Sequence, residues 1–137
     1  MRRTEARELL MQLIFEAEAQ QDFGIGLYER YKEENMDGSD QLPYFEKTWK
    51  SFCENRTSVD ELITKYSNGW NIPRLGKVDL AVLRLCITEI VFLSDKDVPV
   101  GASINEAVNL AKKYGDEGSG KFVNGILGRI SREEGKA

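Results

Sequence analysis

Three arginines near the start of the chain are the strongest candidates for anion-binding chemistry. Arg2, Arg3 and Arg7 are accompanied by only one acidic residue, Glu5, among the first seven residues, and the free amino group adds further positive charge. Guanidinium groups pair with phosphate through two hydrogen bonds and stack on unpaired bases. Because the net charge of the chain is −4, any nucleic-acid contact must come from a local patch. A merely solvated basic cluster is the alternative interpretation.

A second candidate is the pair Lys121 and Phe122, which opens the last predicted helix. Free backbone amides at a helix N-terminus, together with a cation, favour an anion. Phe122 is equally explained as a core residue. The preceding Gly118 and Gly120 do not indicate a nucleotide-binding loop, because they follow a predicted helix and not a strand.

Catalytic and metal chemistry are poorly supported. The chain has no histidine, which removes the commonest general base and the usual partner of a Ser or Cys nucleophile. Its two cysteines, Cys53 and Cys86, cannot make a standard four-ligand zinc site and are predicted to be buried thiols. We therefore expect a protein that is not an enzyme and that uses no metal and no cofactor.

Size and composition indicate one ordinary domain. A chain of 137 residues with 41% hydrophobic and 31% charged residues can bury a single core. The longest apolar run, residues 80–93, is too short to span a bilayer and contains Arg84 and Glu89. No secretory signal is recognisable at the N-terminus, so a cytoplasmic location is expected.

Helical periodicity dominates the sequence and predicts the elements that must position these residues. The first helix carries an apolar stripe with Arg3 and Arg7 outside it, and Thr4 is its predicted N-cap. Pro43 suits the first turn of a third helix, and Ser58 opens a predicted capping box for a fourth. Gly115 is expected to end the sixth helix.

Residues 80–93 are apolar on nearly every side, and a helix of that kind must be enclosed by other helices. Residues 95–97 (DKD) are expected to break it. Sustained alternation typical of strands is not recognisable. The prediction is an all-α fold, a compact bundle of about seven helices.

Four strings give the chain a resemblance to a known family. They are residues 1–3 (MRR), 76–85 (GKVDLAVLRL), 104–107 (INEA) and 121–125 (KFVNG). With them the chain resembles, over nearly its whole length, the NusB family of bacterial transcription antitermination factors. The resemblance implies two closely packed helical subdomains, about 1–68 and 69–132, with a loose tail at 133–137.

The resemblance also implies an RNA site. In NusB proteins an arginine-rich N-terminal helix binds single-stranded boxA RNA, and Arg3 and Arg7 match its arginines, with Arg2 beside them. Lys121 and Phe122 match a region that borders the RNA surface. Phe15 stands where the family often has tyrosine, and it can stack on a base but cannot donate a hydrogen bond.

A protein partner is implied as well. The acidic residue matched by Asp79, with the turn before it, contacts the small ribosomal subunit protein NusE in this family. Arg74 and Lys77 are expected to border the same surface. The complex would then join the elongating RNA polymerase with other Nus factors and favour readthrough of ribosomal RNA operons.

Two other functions are considered. NusB-like domains also precede RNA cytosine methyltransferases, but those need a methyl-donor domain, and we expect none because the chain stops at Ala137. A homodimer that covers the arginine patch at its self-contact is the remaining alternative. Asn105 and Asn124 are expected to be buried structural amides, and Gly125 and Gly128 are expected to allow close helix packing.

Overall fold

The computed structural model describes residues 1–93 and 98–134, and these ranges contain seven α-helices and no strand. This confirms the all-α prediction. A 3₁₀ turn covers Ile72–Arg74, and a π-helical turn covers Thr88–Leu93. The helices are α1 (Arg3–Gln20), α2 (Ile25–Asn35), α3 (Leu42–Glu54), α4 (Arg56–Tyr66), α5 (Lys77–Ile87), α6 (Val100–Tyr114) and α7 (Ser119–Glu133).

Two helix starts differ from those predicted. Helix α1 is capped by Arg2, whose backbone N–H donates to the Glu5 carboxylate at 3.2 Å, so the prediction of Thr4 as N-cap was wrong. Helix α4 begins at Arg56 and not at Ser58, because Asn55 ends α3 and starts α4 with no intervening loop. Pro43 lies in the first turn of α3, as predicted.

Helix α5 is the centre of the fold. Eight consecutive residues, 80–87, are buried, and α5 contacts α1, α3, α4, α6 and α7. The helical path continues through the π-helical turn, which packs on α3. This confirms that the apolar run is enclosed as far as residue 90, whereas residues 91–93 at its end are half-buried. The predicted break at residues 95–97 lies outside the described residues, as does the end of the predicted tail, 135–137.

The close approach of α6 and α7 depends on two glycines. A Cβ at Gly120 would lie 2.8 Å from Cγ of Lys112 on α6, and one at Gly115 would lie 2.7 Å from Cβ of Ser119 on α7. Gly115 ends α6 as predicted, although its φ of −92° is accessible to any residue. Gly125 has open space where a Cβ would be, so the prediction that it allows close packing was wrong.

Buried side chains from Ala6 to Ile130 form one continuous core cluster. Cys86 lies within it, whereas Cys53 is half-buried and packs against it. Burial raises the pKa of the Cys53 thiol to about 11. Both cysteines are free thiols.

Candidate nucleic-acid interface

The N-terminal end of α1, which we call the mouth of the helix, carries two arginines. Their side chains differ in how firmly neighbouring residues hold them. Arg2 is in extended backbone just before the helix, and its side chain is 81% exposed, with Nε 3.5 Å from the Glu5 carboxylate. Arg3 is partly buried. Its Nε donates to the side-chain oxygen of Gln41 at 2.6 Å, and its guanidinium carbon lies 4.1 Å from the centre of the Tyr44 ring.

Arg7 is one turn further along α1 and lies inside the protein. The residue is 5% exposed, and Nη2 is 2.9 Å from the Glu89 carboxylate, to which Nε also donates. Nη1 is 3.3 Å from a carboxylate oxygen of Glu106. Burial lowers the pKa of Arg7, but the hydrogen bond and charge of Glu89 outweigh it, so the pKa is raised and the side chain stays cationic.

The prediction that Arg7 lies off the buried face of α1 was therefore wrong. An unpaired cation could not be buried there, but Glu89 and Glu106 compensate its desolvation. We name the connected residues Arg7, Glu89, Glu106 and Tyr44 the buried charge cluster. The Tyr44 hydroxyl donates to Glu89 at 2.7 Å, which brings α3 into the cluster.

Glu106 is the glutamate of the INEA string, and it joins α6 to the start of α1. Its carboxylate accepts a hydrogen bond from the Thr4 hydroxyl at 2.7 Å, as well as from Arg7. Ser103 on α6 donates to Glu89 at 3.4 Å. The N-terminal turn of α1 is thus bound to α3, the π-helical turn and α6, which fixes where Arg2 and Arg3 emerge.

A second buried arginine lies in the last turn of α5, just before the π-helical turn. Arg84 is 3% exposed and donates to Glu18 at 2.7 Å and to Asp60 at 2.8 Å. It contributes no cation to the surface. Arg84 and Glu89 are the two charges of the apolar run, and each has an opposite charge on a neighbouring helix.

Phe15 is half-buried and packs against the core. Its Cα is displaced from that of Arg3 by about 18 Å along the axis of α1, given a rise of 1.5 Å per residue. The structure therefore does not bring Phe15 to the mouth of the helix.

Lys121 and Phe122 lie in the first turn of α7, as predicted. Lys121 is exposed, whereas Phe122 is half-buried and packs against the core. Both line a groove of about 390 Å³ with Tyr66 and Arg129. Lys121 also borders a groove of about 470 Å³ between α6 and α7.

Asn105 and Asn124 are exposed, so the prediction of two buried structural amides was wrong. Both side chains line the groove between α6 and α7, together with Lys112 and Lys121. Each asparagine directly follows a residue of the apolar stripe in sequence. Because consecutive residues of a helix point about 100° apart, this neighbour does not bring the asparagine into the core. These amides are therefore available to a ligand.

The three residues expected to meet the protein partner follow one another along the chain. Arg74 ends the 3₁₀ turn and is exposed, and Lys77 opens α5 and is also exposed. Asp79 is half-buried in the first turn of α5. Burial raises the pKa of Asp79, and a hydrogen bond with Ser119 opposes that shift. Helix α5 packs on α7, and Asp79 lies near Ser119, two residues from Lys121.

Other kinds of site receive no support from the described parts of the chain. Residues 1–93 and 98–134 contain no group of three or more potential metal ligands. In the same ranges no helix is long and apolar enough to cross a membrane.

Comparison with known proteins gives consistent matches over almost the whole length. The model of the NusB family matches residues 4–132. Transcription antitermination protein NusB of Alkaliphilus oremlandii is 41% identical over 135 residues, covering 98% of this chain and 96% of that protein. The Bacillus licheniformis protein of the same name is 38% identical over 133 residues, covering 97% and 98%.

Solved structures of similar proteins share the fold. A crystal form of T. maritima NusB superposes with a TM-score of 0.87 at 34% identity, covering 98% of this chain and 94% of that one. A chain from a crystal structure of antitermination factors NusB and NusE in complex with dsRNA gives a TM-score of 0.83 at 31% identity, covering 96% and 98%.

Proposed function

Because this chain belongs to the NusB family, we propose that it is an antitermination factor that binds boxA-type single-stranded RNA together with NusE and acts without catalysis. The observation that carries the RNA site is the fixed mouth of α1, where Arg2 and Arg3 emerge next to each other. The solved complex of NusB and NusE with dsRNA, which contains a chain similar to this one, supports both kinds of partner. Entry into the RNA polymerase elongation complex with other Nus factors, with readthrough of ribosomal RNA operons, completes the proposal.

The residues contribute in different ways. Arg2 is exposed, and its surface pair with Glu5 can exchange for a phosphate, whereas Arg3 is held by Tyr44 and presents a face of its guanidinium group. The hydrogen-bond donors of Arg7 are already engaged with Glu89 and Glu106. Arg7 therefore contributes indirectly, by holding the N-terminal turn of α1 in place as part of the buried charge cluster. Phe15, half-buried and far along the helix, is a less favoured contact.

We further propose that Lys121 and Phe122 lie where the RNA and NusE surfaces meet. Ser119 lies near Asp79 where α5 packs on α7, so the first turn of α7 adjoins the segment that contains Arg74 and Lys77. RNA held at α1 would reach Lys121 by crossing α6, which packs on α7 and is bonded to α1 through Glu106. Two partners on adjoining surfaces raise each other's effective concentration.

Replacing both Arg2 and Arg3 by Ala tests the RNA site. Because the chain is acidic overall, few cations can contribute, and losing the phosphate contact of Arg2 should flatten the slope of log affinity against log salt by about 0.7 for single-stranded RNA. Losing the guanidinium face of Arg3 should lower the affinity further. Fluorescence anisotropy at several salt concentrations measures this slope. The unfolding midpoint should change little, since Arg2 is exposed and Arg3 is only partly buried.

A matched control for this double variant is Arg30→Ala with Arg132→Ala, which removes two exposed arginines from α2 and α7. It should leave both affinity and slope unchanged. Equal affinity for RNA in the Arg2 and Arg3 variant and in the parent would remove the mouth of α1 from the RNA site.

Asp79→Lys tests the NusE surface. Reversing this charge in the first turn of α5 should weaken binding of NusE while the affinity of the isolated protein for RNA stays as in the parent. Isothermal titration with each partner separates the two effects. Glu61→Lys makes the same charge change at an exposed position of α4 and should alter neither. Unchanged NusE affinity in the Asp79 variant would exclude this residue from the interface.

The homodimer alternative gives a different result in solution. If a self-contact covers the arginine patch, light scattering will show a dimer whose dissociation accompanies RNA binding. A monomer with and without RNA would remove that alternative.

A further inference from the structure

The Arg3 side chain is held by two residues at the start of α3. Its guanidinium lies over the Tyr44 ring at 4.1 Å, and Gln41, which precedes α3, accepts a hydrogen bond from Nε. A guanidinium group is planar and has two faces. Tyr44 covers one of them, and the Arg3 residue as a whole is only partly buried.

The Tyr44 ring is itself fixed by the buried charge cluster. Its hydroxyl donates to a carboxylate oxygen of Glu89 at 2.7 Å, and Glu89 is paired with Arg7. Burial, followed by the charge of Glu89, raises the pKa of Tyr44, so the phenol remains a donor at neutral pH. The contacts therefore run without a break from Arg7 through Glu89 and Tyr44 to Arg3.

We propose that Tyr44 is a positioning residue that holds the Arg3 guanidinium as a stacking platform for one unpaired RNA base. This inference rests on the proposed RNA-binding function. An unpaired base has a free face that can stack on the face of the guanidinium opposite Tyr44, whereas bases inside a duplex are already stacked on both faces. Because Arg3 is ordered before RNA arrives, less conformational entropy is lost on binding.

The test compares Tyr44→Leu with Tyr44→Phe. Both variants lose the hydrogen bond to Glu89, but only the leucine variant loses the aromatic ring beneath Arg3. With a boxA-like single-stranded RNA oligonucleotide as probe, Tyr44→Leu should weaken binding about three- to ten-fold, as expected for a lost cation–π contact. Tyr44→Phe should bind RNA as the parent does.

Two further measurements report on the platform itself. In an Arg3→Lys background, which keeps the charge but not the planar group, Tyr44→Leu should cause no additional loss. Oligonucleotides with one abasic position at a time should reveal one position that weakens binding to the parent but not to Arg3→Lys. Titration with NusE, together with the unfolding midpoint, verifies that each variant is folded.

Equal losses in Tyr44→Phe and Tyr44→Leu would show that Tyr44 matters only to the fold and would overturn the proposal. An undiminished effect of Tyr44→Leu in the Arg3→Lys background would overturn it as well. Failure of the parent to bind any single-stranded RNA would reject the proposed function and the platform together. RNA binding that depends on Arg3 but not on the Tyr44 ring would reject the platform alone.

Discussion

Arg7→Met is expected to lower the free energy of unfolding by about 3 to 5 kcal/mol, as happens when one partner of a buried ion pair is removed. The variant leaves Glu89, whose side chain is 8% exposed, with hydrogen bonds but no counter-charge. Urea unfolding measures the loss. Such a loss would also explain any reduced RNA binding by Arg7 variants without a direct contact.

Lys50→Met is the matched control, because it removes a cation from an exposed pair with Glu46 on α3. Its cost should stay below about 1 kcal/mol. Combining Arg7→Met with Glu89→Gln removes the uncompensated charge and should recover part of the stability. If Arg7→Met costs no more than Lys50→Met, the side chain of Arg7 is not buried as an ion pair.

Leu83→Ala is expected to cost about 2 to 5 kcal/mol, the range for truncating an enclosed aliphatic side chain. Leu83 and Ile87 are both 0% exposed in the centre of the bundle, so Ile87→Ala should behave alike. The control is Ile25→Ala at the start of α2, a position that is 74% exposed and should cost about 0.5 kcal/mol or less. A loss below about 1 kcal/mol for Leu83→Ala would contradict the enclosed position of α5.

The architecture could be predicted from sequence because its determinants are local. Apolar spacing along α1, the proline in the first turn of α3 and the continuous apolar run of α5 each specify one element. Helix starts were predicted less well, since capping groups can be engaged elsewhere. Thr4 does not cap α1, and its hydroxyl bonds to Glu106, which is 102 residues away in sequence.

The site was predicted in part. Periodicity separates apolar from polar positions, but it does not distinguish a solvated arginine from one that is buried with a carboxylate, which is why Arg7 was placed on the wrong face. The sequence did indicate that buried ion pairs were needed, because Arg84 and Glu89 interrupt an apolar run that must be enclosed. Charges in such a helix require partners, and Arg7 and Glu18 are two of them.

Tyr44 and Gln41 could not have been assigned to the site from sequence. Gln41 lies 38 residues from Arg3, and nothing in the spacing of α3 relates it to the start of α1. Only the packing of α3 against the π-helical turn brings Tyr44 to Glu89 and, through it, to the N-terminal arginines.

The most direct test of the proposed function is an RNA titration of the protein, with and without NusE, that compares a boxA-like single strand with a scrambled strand of the same composition. The boxA-like strand should bind more tightly than the scrambled strand, and NusE should increase that affinity further. Equal affinity for the two strands, unchanged by NusE, would contradict the assignment of this chain as a boxA-binding antitermination factor.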